Sequence, residues 1–132
     1  MPKLFRVILP VSDIEKAREF YERVLNLSGQ RVSPGRHYFD CGGTILACYD
    51  PVADGDGLQG GWKQHPRQYI YLAVSDLEAV HRRAIDSGAT IIEGGIQVMP
   101  WGERMFWAKD PFGNPISFVD ETTLFTGASR QS

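Results

Sequence analysis

Two hydrophobic periods alternate along the chain, and each marks a different kind of element. Short apolar runs rich in Val, Ile and Tyr, over Leu4 to Val11 and Tyr69 to Val74, predict strands. Each run passes into Ser-Asp-(Ile/Leu)-Glu, once as Ser12 to Glu15 and once as Ser75 to Glu78. That spacing predicts a capping box in which Ser12 and Ser75 accept from the backbone three residues on and Glu15 and Glu78 reach back. The period then lengthens to that of a helix. Ile14, Ala17, Tyr21 and Val24 share one face, as do Leu77, Val80 and Ala84, with Gly29 and Gly88 as the predicted stops. Strand-like material follows each helix. In the first half it covers Arg31 to Ser33, His37 to Cys41 and Thr44 to Tyr49. In the second half it covers Thr90 to Glu93, Glu103 to Lys109 and Pro115 to Val119, with Asp110 to Asn114 as a Pro- and Gly-bearing turn.

The halves are copies of one another. Leu9 to Glu15 recurs as Leu72 to Glu78, 63 residues later. A short sheet with one helix leaves its other face bare, so each strand–helix–strand–strand–strand unit needs a second sheet, in this chain or another. A length of 132 residues suits one domain over 1–132. Its parts are a first module at about 4–50, a Gly-rich linker at 51–67, a second module at about 68–120 and a polar tail at 121–132 expected to be poorly ordered.

Composition narrows the partners more than the fold. Fourteen Lys and Arg against sixteen Asp and Glu leave a charge of −2, too little positive field for nucleic acid or an anionic membrane. No apolar stretch approaches the ~20 residues of a membrane helix, and no signal-peptide core is visible, which points to the cytoplasm. Two cysteines, Cys41 and Cys48, accord with that compartment. Gly55 to Gly60 matches the dinucleotide string G-x-G-x-x-G, but Gly61, Trp62 and Pro66 follow where a helix should open, so it reads as a flexible loop. Asp54 and Asp56 fail the ligand spacing of a calcium loop. Of the three histidines, His81 is expected in solvent, His65 lies in the linker, and His37 alone is placed to reach a cavity.

Two stretches carry a family likeness: Val11 to Glu15 with Phe20 to Leu25, and Trp101 to Phe106 running into Asp110 to Ile116. On these residues, over about 4–120, the chain resembles the vicinal oxygen chelate superfamily of glyoxalase I, extradiol dioxygenases, and fosfomycin- and bleomycin-resistance proteins. The resemblance implies an α+β fold in which two tandem βαβββ modules form a curved mixed sheet around a concave cavity. It also implies a homodimer. Metal-using members place four ligands on the concave faces, and those positions fall here on Arg6, Tyr69, Ser117 and Leu46. None is a usual donor for a divalent ion, and Arg is a permanent cation. The chain therefore resembles a metal-free member, with no cofactor.

Strand alternation sorts the faces. Val7, Leu9, Val11, Ile70, Leu72 and Val74 turn to the helices; Arg6, Ile8, Tyr69, Tyr71, Ser117 and Val119 turn to the cavity. The resemblance puts the parity of Trp101, Glu103, Met105 and Trp107 on that side too, and Leu46 and Cys48 share a parity expected to face it. The candidate ligand site is thus Arg6, Ile8, Leu46, Cys48, Tyr69, Tyr71, Trp101, Glu103, Met105, Trp107 and Ser117. An aromatic floor with few polar groups suits a planar or hydrophobic small molecule. Packing of these rings on one another, and an ion pair of Arg6 with Glu103 or another acid, are the alternatives without a ligand. The expected function is metal-independent binding of an aromatic or hydrophobic drug or metabolite. Two enzyme readings stay open: a divalent-metal lyase, transferase or dioxygenase with displaced ligands such as His37 and Glu103, and a metal-free enzyme using Glu103 or Tyr69 near Arg6.

Overall fold

The computed structural model describes residues 1–57 and 63–126. The first module runs β1 (Arg6–Pro10), α1 (Ile14–Leu25), β2 (Gln30–Ser33), β3 (Arg36–Cys41) and β4 (Thr44–Tyr49). The second runs β5 (Ile70–Val74), α2 (Leu77–Asp86), β6 (Thr90–Ile91), β7 (Gln97–Val98), β8 (Arg104–Lys109) and β9 (Pro115–Asp120). The first sheet has the order β1-β4-β3-β2, with β1 and β4 parallel and the other pairs antiparallel. The second repeats it as β5-β9-β8-β6, with β5 and β9 parallel and β7 also on β8. The strand expected over Thr90 to Glu93 is shortened to Thr90–Ile91, and a further strand not expected from the sequence, Gln97–Val98, follows after Gly94 and Gly95, both at positive φ (102° and 53°), turn the chain.

The α+β class and the tandem modules hold. The caps differ by one residue. Asp13 and Asp76 start the helices, each accepting a backbone N–H three residues on, from Lys16 and Ala79, at 3.1 Å. Ser12 and Ser75 stand outside. Glu15 is drawn instead to Arg18 and Arg31, and Glu78 to Arg104. Asn26, in the left-handed region at φ 54°, ends α1 in place of Gly29. Gly29 has a different use: a Cβ there would lie 2.4 Å from His37 Nε2, so only glycine lets that ring pack against the chain. Gly88 follows the end of α2 at φ 103°, as expected.

The helices lie in the middle. α1 packs on β3 and β4, α2 packs on β9, and the two helices touch each other. One apolar cluster therefore runs through both modules, from Leu9, Tyr21, Phe39 and Leu46 to Leu77, Phe106, Ile116 and Phe118. Polar ties stitch the same seam. The Tyr21 hydroxyl donates to Asp110 at 2.7 Å, and Asn114 Nδ2 donates to the Pro10 carbonyl at 2.8 Å. Arg83 on α2 donates to the Arg23 and Val24 carbonyls at the end of α1, at 3.0 and 3.1 Å. Each sheet thus buries one face on the shared core and turns the other away. Residues 121–126 begin with a 3-10 turn at Glu121–Thr123 and hydrogen-bond to β8 through Thr123; the rest of the tail and the Leu58 to Gly60 part of the glycine string lie outside the described residues.

Candidate functional site

Register decides which side chains share the outer faces. On the second sheet Tyr71 pairs with Ser117, and Trp107 pairs with Ser117 from the other side; Ala73 and Met105 flank Val119 in the same way. All six face away from the core. Four of them, Tyr71, Ala73, Met105 and Val119, border a pocket of about 340 Å3 together with Trp101, Glu103 and Leu124. The structure so assembles Tyr71, Trp101, Glu103 and Met105 from the expected set. Trp107 Nε1 lies 3.5 Å from the Tyr71 hydroxyl, which holds the two rings side by side. Ser117 is fully buried beneath them, its hydroxyl donating to the Phe106 carbonyl at 3.1 Å.

Arg6 and Ile8 occupy the outer face of the other sheet. The Arg6 guanidinium lies over the Phe5 ring at 4.9 Å and the Tyr38 ring at 5.2 Å, and makes no ion pair among the described residues. The alternative Arg6–Glu103 pair does not form: Arg6 is on β1 of the first sheet and Glu103 precedes β8 of the second, and Glu103 accepts instead from the Trp101 indole at 2.7 Å and the Phe125 N–H at 2.9 Å. That separation also leaves Arg6 away from Glu103 as an acid–base partner. Tyr69 is half-buried beside a larger groove of about 780 Å3, which runs along the free edge of β5 to Leu4, Val7 and Leu25.

Two expected site residues are misplaced. Leu46 and Cys48 pair with Val7 and Leu9 and lie in the core under the helices, not on the outer face. Burial, with Asp110 nearby, pushes the Cys48 thiol far up, so it stays a neutral packing group. The cause is a slip of one residue, which in a strand exchanges the two faces. The counterpart of Ser117 is Ala47, since Ala47 pairs with Ile8 and Tyr38 as Ser117 pairs with Tyr71 and Trp107. The positions at which the resemblance expects a metal ion thus carry a guanidinium, a phenol, a methyl group and a hydroxyl already bonded to backbone. That set does not fit a divalent ion. Among the described residues no three of His, Cys, Asp and Glu gather as a possible metal set.

The displaced ligands do not meet either. His37 is 4% exposed on the core side of β3, where Arg31 Nε donates to its Nδ1 at 3.2 Å and Nε2 has no partner. Burial, then the Arg31 charge, lowers its pKa. His81 is half-buried rather than solvated, its ring edge-on to Phe106 at 4.9 Å with Nε2 unpartnered. Sequence reasoning missed Leu124 because a polar-looking tail gave no period to read.

This double β-α-β-β-β architecture has relatives. A family model described as Glyoxalase/Bleomycin resistance protein/Dioxygenase superfamily matches residues 3–118. The chain belongs to that superfamily. Similar solved structures include a glyoxalase/bleomycin resistance protein/dioxygenase family enzyme from Burkholderia phytofirmans PsJN, at 19% identity and TM-score 0.74, covering 93% of this chain and 100% of that one. A glyoxalase-related enzyme from Fulvimarina pelagi is 14% identical, with TM-score 0.73 over 98% of this chain and 96% of that one. Lactoylglutathione lyase from Agrobacterium tumefaciens is 19% identical, with TM-score 0.67 over 91% and 94%. Identities this low speak for the superfamily fold and not for an activity. No protein of curated function matches the sequence.

Proposed function

We propose that this superfamily member is a metal-independent, cytoplasmic small-molecule binding protein, and that its ligand is aromatic or hydrophobic. The observation that carries the reading is the pocket of Tyr71, Trp101 and Met105 on the outer face of the second sheet. Large rings bordering a concavity favour a flat apolar ligand, which gains both burial and ring stacking. The donor set at the expected metal positions supports the metal-independent part, and two free cysteines accord with a reducing compartment.

The site is completed by a second copy of the chain. Each outer face is half a cup, and Leu4, Phe5, Ile8, Tyr71 and Trp101 are all exposed on or beside them. β1 and β5 are both five-residue edge strands with one side unpaired. A two-fold axis would let β1 of each copy meet β5 of the other, so that one contact implies its twin and the assembly closes.

Titration with aromatic compounds, followed by tryptophan emission and melting temperature, tests the ligand claim. At least one compound should quench emission and raise the midpoint, because binding to the native state alone stabilises it. A panel of naphthols, indoles and flavins that changes neither would overturn the pocket. Elemental analysis of protein purified without chelators should find no stoichiometric Mn, Fe, Ni or Zn; finding one refutes metal independence. Sedimentation at the mass of one chain refutes the dimer.

A further inference from the structure

The segment that leaves the last strand folds back over the pocket. Asp120 starts the 3-10 turn by accepting from the Thr122 N–H at 2.9 Å and its hydroxyl at 2.8 Å. Thr123 Oγ1 accepts the Arg104 N–H at 3.1 Å, and the Phe125 N–H donates to Glu103 Oε2 at 2.9 Å. Between these anchors Leu124 borders the pocket with Tyr71, Ala73, Trp101, Met105 and Val119. Met105 and Val119 belong to a face that looks away from the core, yet they are only 1% and 3% exposed. The strap that carries Leu124 lies on that same end of the face.

Glu103 has both carboxylate oxygens engaged inside the protein, one by the Trp101 indole and one by the strap backbone. It therefore ties a ring of the pocket floor to the segment that walls it. That use is structural and differs from the charged handle on a ligand expected of it.

We propose that residues 121–126 form a specificity-determining wall of the ligand site, in which Leu124 sets the size of aromatic ligand admitted and Glu103 is the positioning residue that holds the strap. The inference rests on the small-molecule reading above. Enlarging or filling the Leu124 position changes the ratio of affinities for large and small rings, while releasing Glu103 loosens the wall and frees the Trp101 indole bonded to the same carboxylate.

The test uses the full chain and two probes, 8-anilinonaphthalene-1-sulfonate as the bulky ring system and benzyl alcohol as the small one, the second measured by displacement of the first. Leu124→Ala should tighten the bulky probe and weaken the small one, shifting the ratio of their dissociation constants roughly tenfold, as loss of one apolar wall implies. Leu124→Trp should shift it the other way. An unchanged ratio in both variants overturns the inference and leaves the pocket standing. Failure of either probe to bind any of the three proteins refutes the pocket and the inference with it. In ligand-free protein, Glu103→Ala should abolish hydrogen-exchange protection of the Phe125 amide, whereas Glu103→Gln, whose side-chain oxygen still accepts, should keep most of it. Unchanged protection in Glu103→Ala overturns the positioning role.

Discussion

The two modules share a strand order and a register between their central strands, and load them differently. In equivalent register positions the first has Tyr38, Arg36, Tyr49 and Ala47 on its outer face where the second has Trp107, Met105, Val119 and Ser117. Each module then covers the same end of that face with the chain that leaves its last strand. After β4, Asp54 and Asp56 reach back to Arg36, which stacks on Tyr49 at 4.3 Å, and Asp54 also accepts from Ser33 and the Gly35 N–H. After β9, Leu124 borders the same pocket as Met105 and Val119. One cover is a clamp of charges with directional partners, the other an apolar strap. The lesson is that register fixes where a cover must fall, while side-chain chemistry decides whether it closes a surface or shapes a pocket.

The widest difference is expected at the turns that join the last two strands of each module. Asp110 is buried and accepts from Tyr21, Asn114 Nδ2 and the backbone N–H groups of Phe112 and Asn114; burial nonetheless pushes its carboxyl above the ordinary range. Asp40, at the matching turn, is exposed and accepts from the Gly43 N–H. Asp110→Ala strands several buried donors and should cost about 3 kcal/mol in chemical denaturation, whereas Asp40→Ala should change the midpoint little. Equal effects would mean that the seam between modules does not depend on that carboxylate.

Next in size is the pair of faces on one module. Leu46→Ala empties core volume and should cost about 2–4 kcal/mol. Ile8→Ala lies on the outer face and should leave the fold within ~0.5 kcal/mol while weakening self-association in sedimentation. A stable Leu46→Ala protein would contradict the register.

A smaller contrast concerns acid. His37 occupies the position that Phe106 holds in the second module. Its folded pKa lies below the ordinary 6.5 through burial and then Arg31, with Arg18 acting in the same sense and Glu22 and Glu15 opposing. The unfolded chain therefore binds the proton more readily. The resulting stability is present above that ordinary value and is lost as pH falls through the depressed one. Denaturation midpoints measured from about pH 7.5 down to about 5 should fall in the wild type, and His37→Phe should remove part of that slope. Identical slopes would show that His37 does not titrate within the folded range. Arg36→Met, which gives the first module the residue of the second, should lower the melting temperature slightly; a rise would show that the charge clamp destabilises.

The fold was legible because periodicity and the repeated Ser-Asp-(Ile/Leu)-Glu string report on burial and helix starts. Asp rather than Ser caps both helices because the two types cap equally well, and only the backbone angle separates adjacent candidates. On the second module the pocket lining was legible, since Tyr71, Trp101, Glu103 and Met105 fall on one concavity as the expected face implied. It failed at Leu46 and Cys48, because an unbroken apolar run such as Ile45 to Tyr49 has no alternation from which to count. Leu124 left no trace in the pattern, since hydrogen bonds such as those of Thr123 and Phe125 place a strap, and they follow no period.

Arg83 donates across 60 residues of sequence to the last carbonyls of α1. A chain leaves the ribosome from its N-terminus at about 5–20 residues per second, so that α1 waits several seconds for the side chain that finishes it. Until then its final turn has only water to satisfy those oxygens. The first module is thus synthesised as an unfinished object, and its helix is completed from a part of the protein that does not yet exist when the helix forms.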